Sequence, residues 1–236
     1  MRLRSDEAQS TAPCGEETAM TYNGHVRPGG PAAVRELAGI VITKMAVGAM
    51  GNNVYLVRDR DTGAQLLIDA AAEPARILDL IGPDGLVGIV TTHSHPDHWQ
   101  ALADVAAATR AVTMSPSADA PLILVPTAVL LRDGDEVEVG SSKLSVIELP
   151  GHTPGSIALL YDDPDGYPHV FTGDSLFPGG VGKTWSNEDF RRLLGEVTEH
   201  LFDQLPDETW VYPGHGDDTT LGRERPHLGE WSERGW

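Results

Sequence analysis

The sequence predicts an α/β protein in which sheets carry helices on their outer faces. Three observations lead there. The 236 residues are 40% hydrophobic and 22% charged, which is ordinary for a globular chain and enough for a substantial core. Short β-like apolar runs are interleaved with a few stretches of helical spacing. No linker interrupts the chain beyond residue 21, so residues 22–236 read as one domain.

Residues 1–21 are polar and without period, and read as a disordered tail. Met20 inside it is a candidate alternative start. Residues 27–31, RPGGP, are turn chemistry. Residues 40–43 and 54–57 are β-like, and residues 65–69 (QLLID) form a buried type of strand ending in an acid. Ile77, Leu78 and Ile81 space a helix over 75–81. Residues 87–92 (VGIVTT) form another buried strand, and alanine and leucine favour a helix over 99–108. Strands are expected at 122–125, 128–131, 136–139, 144–149, 157–161 and 169–172, punctuated by Gly, Pro and Asp. Ser186 to Asp189 resembles a capping box, and the apolar residues from Phe190 to Leu205 behind it share one helical face. Residues 210–212 make a last short strand.

Charge narrows the function. Seventeen basic against 35 acidic residues leave a net charge of −18. Such a chain repels phosphate backbones and anionic lipid, which argues against nucleic-acid and membrane partners. The one cysteine, Cys14, allows no internal disulfide and no cysteine-rich zinc module. No apolar run reaches the length of a membrane span, and MRLRSDEAQS has no apolar signal region. The expected compartment is the cytoplasm.

The strongest signal is His93-Ser94-His95-Pro96-Asp97-His98. A pattern H-x-H-x-D-H arises by chance in about one chain in a thousand of this composition. Three imidazoles and a carboxylate suit a borderline metal such as zinc or iron. The cluster follows a buried strand, where a rigid scaffold presents side chains to a site. His93 and His95 point one way along an extended segment; Asp97 and His98 turn aside and are available to a second ion. Three glycine-flanked islands have the same character: PGHTPGS around His152, TGDSLF around Asp174 and YPGHG around His215. Each alone is a polar turn; together they supply the missing ligands.

These motifs, with LLIDA (residues 66–70) before the first helix and GNNVYLV before that, closely resemble the metallo-β-lactamase fold superfamily, and within it the glyoxalase II-like hydrolases. The resemblance runs from about Tyr22 to the C-terminus. It implies a four-layer αβ/βα sandwich and two zinc ions per chain, with iron or a zinc–iron pair as alternatives. By motif, His93, His95 and His152 would hold one ion, Asp97, His98 and His215 the other, and Asp174 would bridge them. Asp69 matches a position that supports the site from behind, though turn amides would satisfy it equally well. A metal-bridged hydroxide would attack the substrate, with Asp97 as proton acceptor.

GHTPGS and GDSLF look most like thioester hydrolases, which cleave a hydroxyacyl-thiol to an acid and a free thiol. Two departures bear on the thiol. The chain ends about 20 residues after His215, without the helical domain of full-length glyoxalase II, and Gly182-Lys183-Thr184-Trp185 stands where the family often has Gly-Arg-Thr-Asp. A mononuclear-iron persulfide dioxygenase and a lactonase of the same fold are the alternatives. The main zinc β-lactamases have cysteine where Asp174 stands, and flavodiiron-type proteins have glutamate at His95; both are disfavoured. Phe177, Lys183 and Trp185 are candidate substrate contacts, with Tyr212 either pocket or core. Gly182-Lys183-Thr184 lacks the upstream glycine of a phosphate loop, because Phe177 stands there. His25, His169, His200 and His227 read as surface or structural residues.

Overall fold

The structure, a computed structural model, describes residues 22–235. The expected tail over 1–21, with Cys14 and Met20, lies outside the described residues. The first sheet has seven strands hydrogen-bonded in chain order: β1 (Ala33–Glu36), β2 (Ile40–Val47), β3 (Asn52–Asp59), β4 (Gln65–Ile68), β5 (Gly88–Val90), β6 (Val112–Pro116) and β7 (Val129–Leu131). Strands β1 to β4 pair antiparallel, and β4 to β7 run parallel. The two crossovers between β4 and β6 are α1 (Pro74–Ile81) and α2 (Leu102–Thr109).

The second sheet is built from β8 (Glu136–Val139), β9 (Ser142–Glu148), β10 (Ile157–Tyr161) and β11 (His169–Gly173). A small ribbon, β12 (Leu176–Phe177) with β13 (Gly180–Val181), follows. Helix α3 (Asn187–Val197) then runs into a wider turn at Thr198–Phe202. Strand β14 (Trp210–Pro213) pairs parallel with β11, and β15 (Thr219–Thr220) closes the sheet. Helices α4 (Leu221–Glu224) and α5 (Leu228–Arg234) end the described chain.

Alternation along the strands builds four layers. Ile40, Ile42, Tyr55, Val57, Leu66, Ile68 and Val90 of the first sheet meet Val146, Ile157, Leu159, Phe171 and Tyr212 of the second. The intervening residues face outward. Val54, Leu56, Leu67 and Ile89 pack on Ile77 and Ile81 of α1 and Leu102 and Val105 of α2. Ala158, Val170 and Val211 pack on Leu193 and Val197 of α3 and on Trp231 of α5. Each fully buried aliphatic or aromatic side chain contributes about 1.5–3 kcal/mol, so a strand with both parities apolar is held from both faces. This is the sandwich expected from the sequence.

The strand expected at 122–125 is not formed. A single turn, Ala120–Leu122, stands there, and Leu122 and Leu124 are exposed. Pro121 and Pro126 remove backbone donors at both ends, and β6 pairs directly with β7, which leaves that run no neighbour. Strands β1, β6 and β15, the β12–β13 ribbon and the two C-terminal helices were not anticipated. All are short, and most are too mixed in polarity to show a period. Among the described residues no helix is long and apolar enough to cross a membrane.

Candidate metal centre

The parallel strands set the site's location. The carboxyl ends of β4, β5 and β6 lie along one edge of the first sheet, and those of β11 and β14 along the same edge of the second. The residues that follow each strand therefore converge: Asp69 after β4, His93 to His98 after β5, Asp174 after β11 and His215 after β14. His152 comes from the loop between β9 and β10. Thr92 reaches across the sandwich, its carbonyl accepting from the Ile157 amide at 3.0 Å. Pro96 opens a tight turn over Pro96–His98 whose His98 amide donates to the His95 carbonyl. That turn swings Asp97 and His98 away from the pair His93 and His95.

All seven residues anticipated as ligands stand together at this edge. The potential donor atoms of His93, His95 and His152 lie within 4.8 Å of one another, and so do those of Asp97, His98 and His215. Asp174 sits between the two sets. Its Oδ1 is 3.4 Å from His98 Nε2, and its Oδ2 is 3.6 Å from His152 Nε2 and 3.5 Å from His215 Nε2. These separations are long for hydrogen bonds and suit groups sharing an ion.

The outward nitrogens make the complementary case. His98 Nδ1 contacts Asp69 Oδ2 at 2.8 Å, His152 Nδ1 the Lys183 carbonyl at 2.7 Å, and His215 Nδ1 the Met50 carbonyl at 3.2 Å. His93 Nδ1 lies 3.0 Å from Thr92 Oγ1. Each ring is thus oriented from behind, with Nε2 turned to the centre. The Nε2 atoms of His93, His98 and His152 and Oδ1 of Asp174 are buried without a hydrogen-bond partner. One such orphan costs about 1–3 kcal/mol. Four of them aimed at one place fit a metal centre.

Electrostatics agree. Burial, with His98 and His152 nearby, holds the His93 pKa well below its ordinary value, so the ring is a neutral donor. Burial opposes charge on His98, but Asp69 and Asp174 outweigh it and raise its pKa well above the usual value. Contact with His215, and then the Asn52 amide, keep Asp97 ionised far below the usual carboxylate range.

Asp69 is held by Thr92 and contacts His98. One oxygen accepts from the Thr92 amide at 2.8 Å, and the other contacts His98 Nδ1 and accepts from Thr92 Oγ1. Its φ of 58° is left-handed. The candidate substrate residues divide. Phe177 is half-buried, its ring 6.5 Å from that of His215, and lines a cavity of about 320 Å³ with Phe190, Trp231 and Arg234. Trp185 is 71% exposed and borders a cleft beside His152 together with Arg192. Lys183 touches the centre through its carbonyl, while its ammonium lies 4.6 Å from the Trp185 ring centroid. Tyr212 belongs to the core between the sheets. His169 is buried there too, whereas His25, His200 and His227 pair with surface carboxylates.

Asn52 lies within GNNVYLV, but the sequence assigns it no role. Its Nδ2 donates to Asp97 Oδ2 at 2.8 Å and lies 3.3 Å from His215 Nε2. Its place at the start of β3 gives no sign of which distant residue it meets.

Residues 47–215 match the profile of the Metallo-beta-lactamase superfamily. The chain belongs to that superfamily. Among its relatives in the superfamily is a hydroxyacylglutathione hydrolase of Fuscovulum blasticum, 37% identical over 168 residues, or 70% of this chain. The chain spans 62% of that relative's length. Two solved superfamily structures are each 32% identical. ETHE1 from Myxococcus xanthus superposes with a TM-score of 0.71, covering 81% of this chain and 84% of that one. TTHA1623, solved in a di-iron-bound form, superposes with a TM-score of 0.63, covering 76% and 95%.

Proposed function

We propose that the chain is a metal-dependent hydrolase with a dinuclear site that cleaves a hydroxyacyl-thioester or a related ester. One observation carries the reading: two three-residue donor sets with Asp174 between them, their buried Nε2 atoms unpartnered and convergent. In this reading His93, His95 and His152 hold one ion, Asp97, His98 and His215 the other. Zinc suits the donors, and iron fits the same nitrogen and oxygen set. When bound, such ions supply Lewis acidity and lower the pKa of a bound water to about 7.

The chain's own residues do the rest. Asp97 Oδ2, fixed by the Asn52 amide, accepts a proton from the attacking water. The water oxygen bonds to the acyl carbon, the carbon–sulfur bond breaks, and the proton goes to the leaving thiolate. Trp185, which shares a cleft with His152, and Phe177, whose ring lies 6.5 Å from that of His215, provide apolar walls for the substrate. The relative named hydroxyacylglutathione hydrolase supports a thioester over a lactone.

The test begins with metal content in protein purified without added metal. Two ions per chain, with free thiol released from acyl-thiols faster than lactones are opened, is the expected result. One iron per chain and oxygen consumption with a persulfide would replace the reading with a mononuclear dioxygenase. His152→Ala is expected to weaken metal binding by about 10–100-fold and to lose activity with it; near-normal turnover would reject the dinuclear assignment.

A further inference from the structure

The motif Gly151-His152-Thr153-Pro154-Gly155-Ser156 contributes one residue, His152, to the proposed chemistry. The structure shows what Thr153, Gly155 and Ser156 do: all three are arranged around Asp119. Asp119 lies in the turn that follows β6, at the same sheet edge as Asp69 and His93, and is fully buried. Its Oδ1 accepts from the Gly155 amide at 2.7 Å. Its Oδ2 accepts from the Ser94 amide at 2.7 Å and from the Thr153 hydroxyl at 2.6 Å. Ser156 Oγ completes the arrangement, lying 2.5 Å from Thr153 Oγ1 and accepting from the Thr153 amide at 3.2 Å. Gly155 is required by the same contact, because a Cβ there would stand 2.8 Å from the Asp119 amide nitrogen.

We propose that Asp119 is the positioning residue of the His93, His95 and His152 set, clamping the loop that carries His93 and His95 to the loop that carries His152. The inference rests on the metal-centre reading above. Ser94 sits between His93 and His95, and Thr153 follows His152, so one carboxylate sets the separation of three rings drawn from two sheets. Its partners are neutral donors, and two are backbone amides. Only a carboxylate satisfies them all. An asparagine would present its NH2 group either to the Gly155 amide or to the Ser94 amide, donor against donor. Asp69 performs the matching task for the other set, through His98. Asp69 touches a ring of its own set directly, at His98, and reaches His93 only through the Thr92 hydroxyl, whereas Asp119 touches neither Asp97, His98 nor His215.

That division gives the experiment. Metal-free full-length protein is titrated with Co2+, following the visible absorption of each bound ion, and with Zn2+ by calorimetry. Asp119→Asn is expected to weaken one ion about 10–100-fold and to alter its Co2+ spectrum, leaving the other ion unchanged. Asp69→Asn is expected to weaken chiefly the other ion. The same ion weakened most by both substitutions, both ions weakened equally by Asp119→Asn, or neither, would overturn the proposal. If Asp119→Asn does not fold, Thr153→Val removes one of the three bonds and is expected to give the same selectivity at smaller amplitude; no selectivity there overturns it as well. A wild-type chain that binds a single ion, weakened more by Asp119→Asn than by Asp69→Asn, would sink the dinuclear reading and leave this inference standing.

Discussion

At Gly214 a side chain has nowhere to go. A Cβ there would collide with Asp174 Oδ1 and lie 2.7 Å from His98 Cε1. Its φ is outside the left-handed region, so the backbone itself tolerates alanine. Gly214→Ala is therefore expected to keep the fold, by circular dichroism, and to lose metal affinity at least about tenfold. Full metal content in that variant would mean that Asp174 does not sit between two ions. The glycines beside Asp174 and His215 thus have a local reason that YPGHG and TGDSLF already advertise. Asn52 and Asp119 have reasons just as strong, but theirs lie 45 and 36 residues away along the chain, at Asp97 and Gly155. No local pattern reports such a pairing.

Among the elements, α3 matters most to the site. Its N-cap Ser186 accepts from the Asp189 amide at 3.1 Å and donates to the Asp189 carboxylate at 2.7 Å, a capping arrangement legible in the sequence. The helix then packs under the His152 loop: a Cβ on Gly151 would stand 2.6 Å from Leu193 Cβ. Ser186→Ala is expected to cost about 1 kcal/mol in urea denaturation, and an unchanged midpoint would show the cap to be idle. Strand β2 offers the contrast. Its inward parity runs Ile40, Ile42, Lys44, and the lysine is completely buried. Lys44 Nζ donates to Asp218 Oδ1 at 2.6 Å and to the carbonyls of Gly24 and Gly216 at 2.7 Å. All three donors are used, and the loop bearing His215 is anchored beside its ligand. A lysine in an exposed strand would look the same in the sequence.

Across the whole molecule, the proposed ions join the two halves of the sandwich. The segment after β5 belongs to the first sheet, while His152, Asp174 and His215 belong to the second. Chelation is expected to lower the melting temperature, and zinc to restore it. An ion at a hundred times its Kd stabilises by about 2.7 kcal/mol, or about 5–10 °C for a chain of this size. An unchanged melting temperature would place the ions, if any, elsewhere. Acid acts through His169, which burial and then Arg35 push down to about 3. The folded protein keeps this ring neutral, while the unfolded chain takes up a proton below about 6.5. Stability therefore falls as pH drops from about 6.5 toward 3. At pH 5 the loss is about 2 kcal/mol. His169→Gln is expected to remove that part of the acid slope; an identical pH profile would count against it.

What the sequence by itself determined is the kind of chemistry. The proposed ligands are contiguous in His93 to His98 or flagged by glycine, and metal donors must be a few residue types at sheet ends. The layered fold was legible for the same reason, since runs such as QLLID and VGIVTT are apolar at both parities and must be buried on two faces. The tertiary structure alone decided the support. Asp119 bonds the loops of His93 and His152, Asn52 holds Asp97, Lys44 turns inward, and residues 122–125 form no strand because β7 already occupies the edge of β6. Each of these depends on one polar residue meeting a distant segment, or on which strands become neighbours. Such contacts are made by the assembled sheets, and a single side chain in the sequence carries no trace of them.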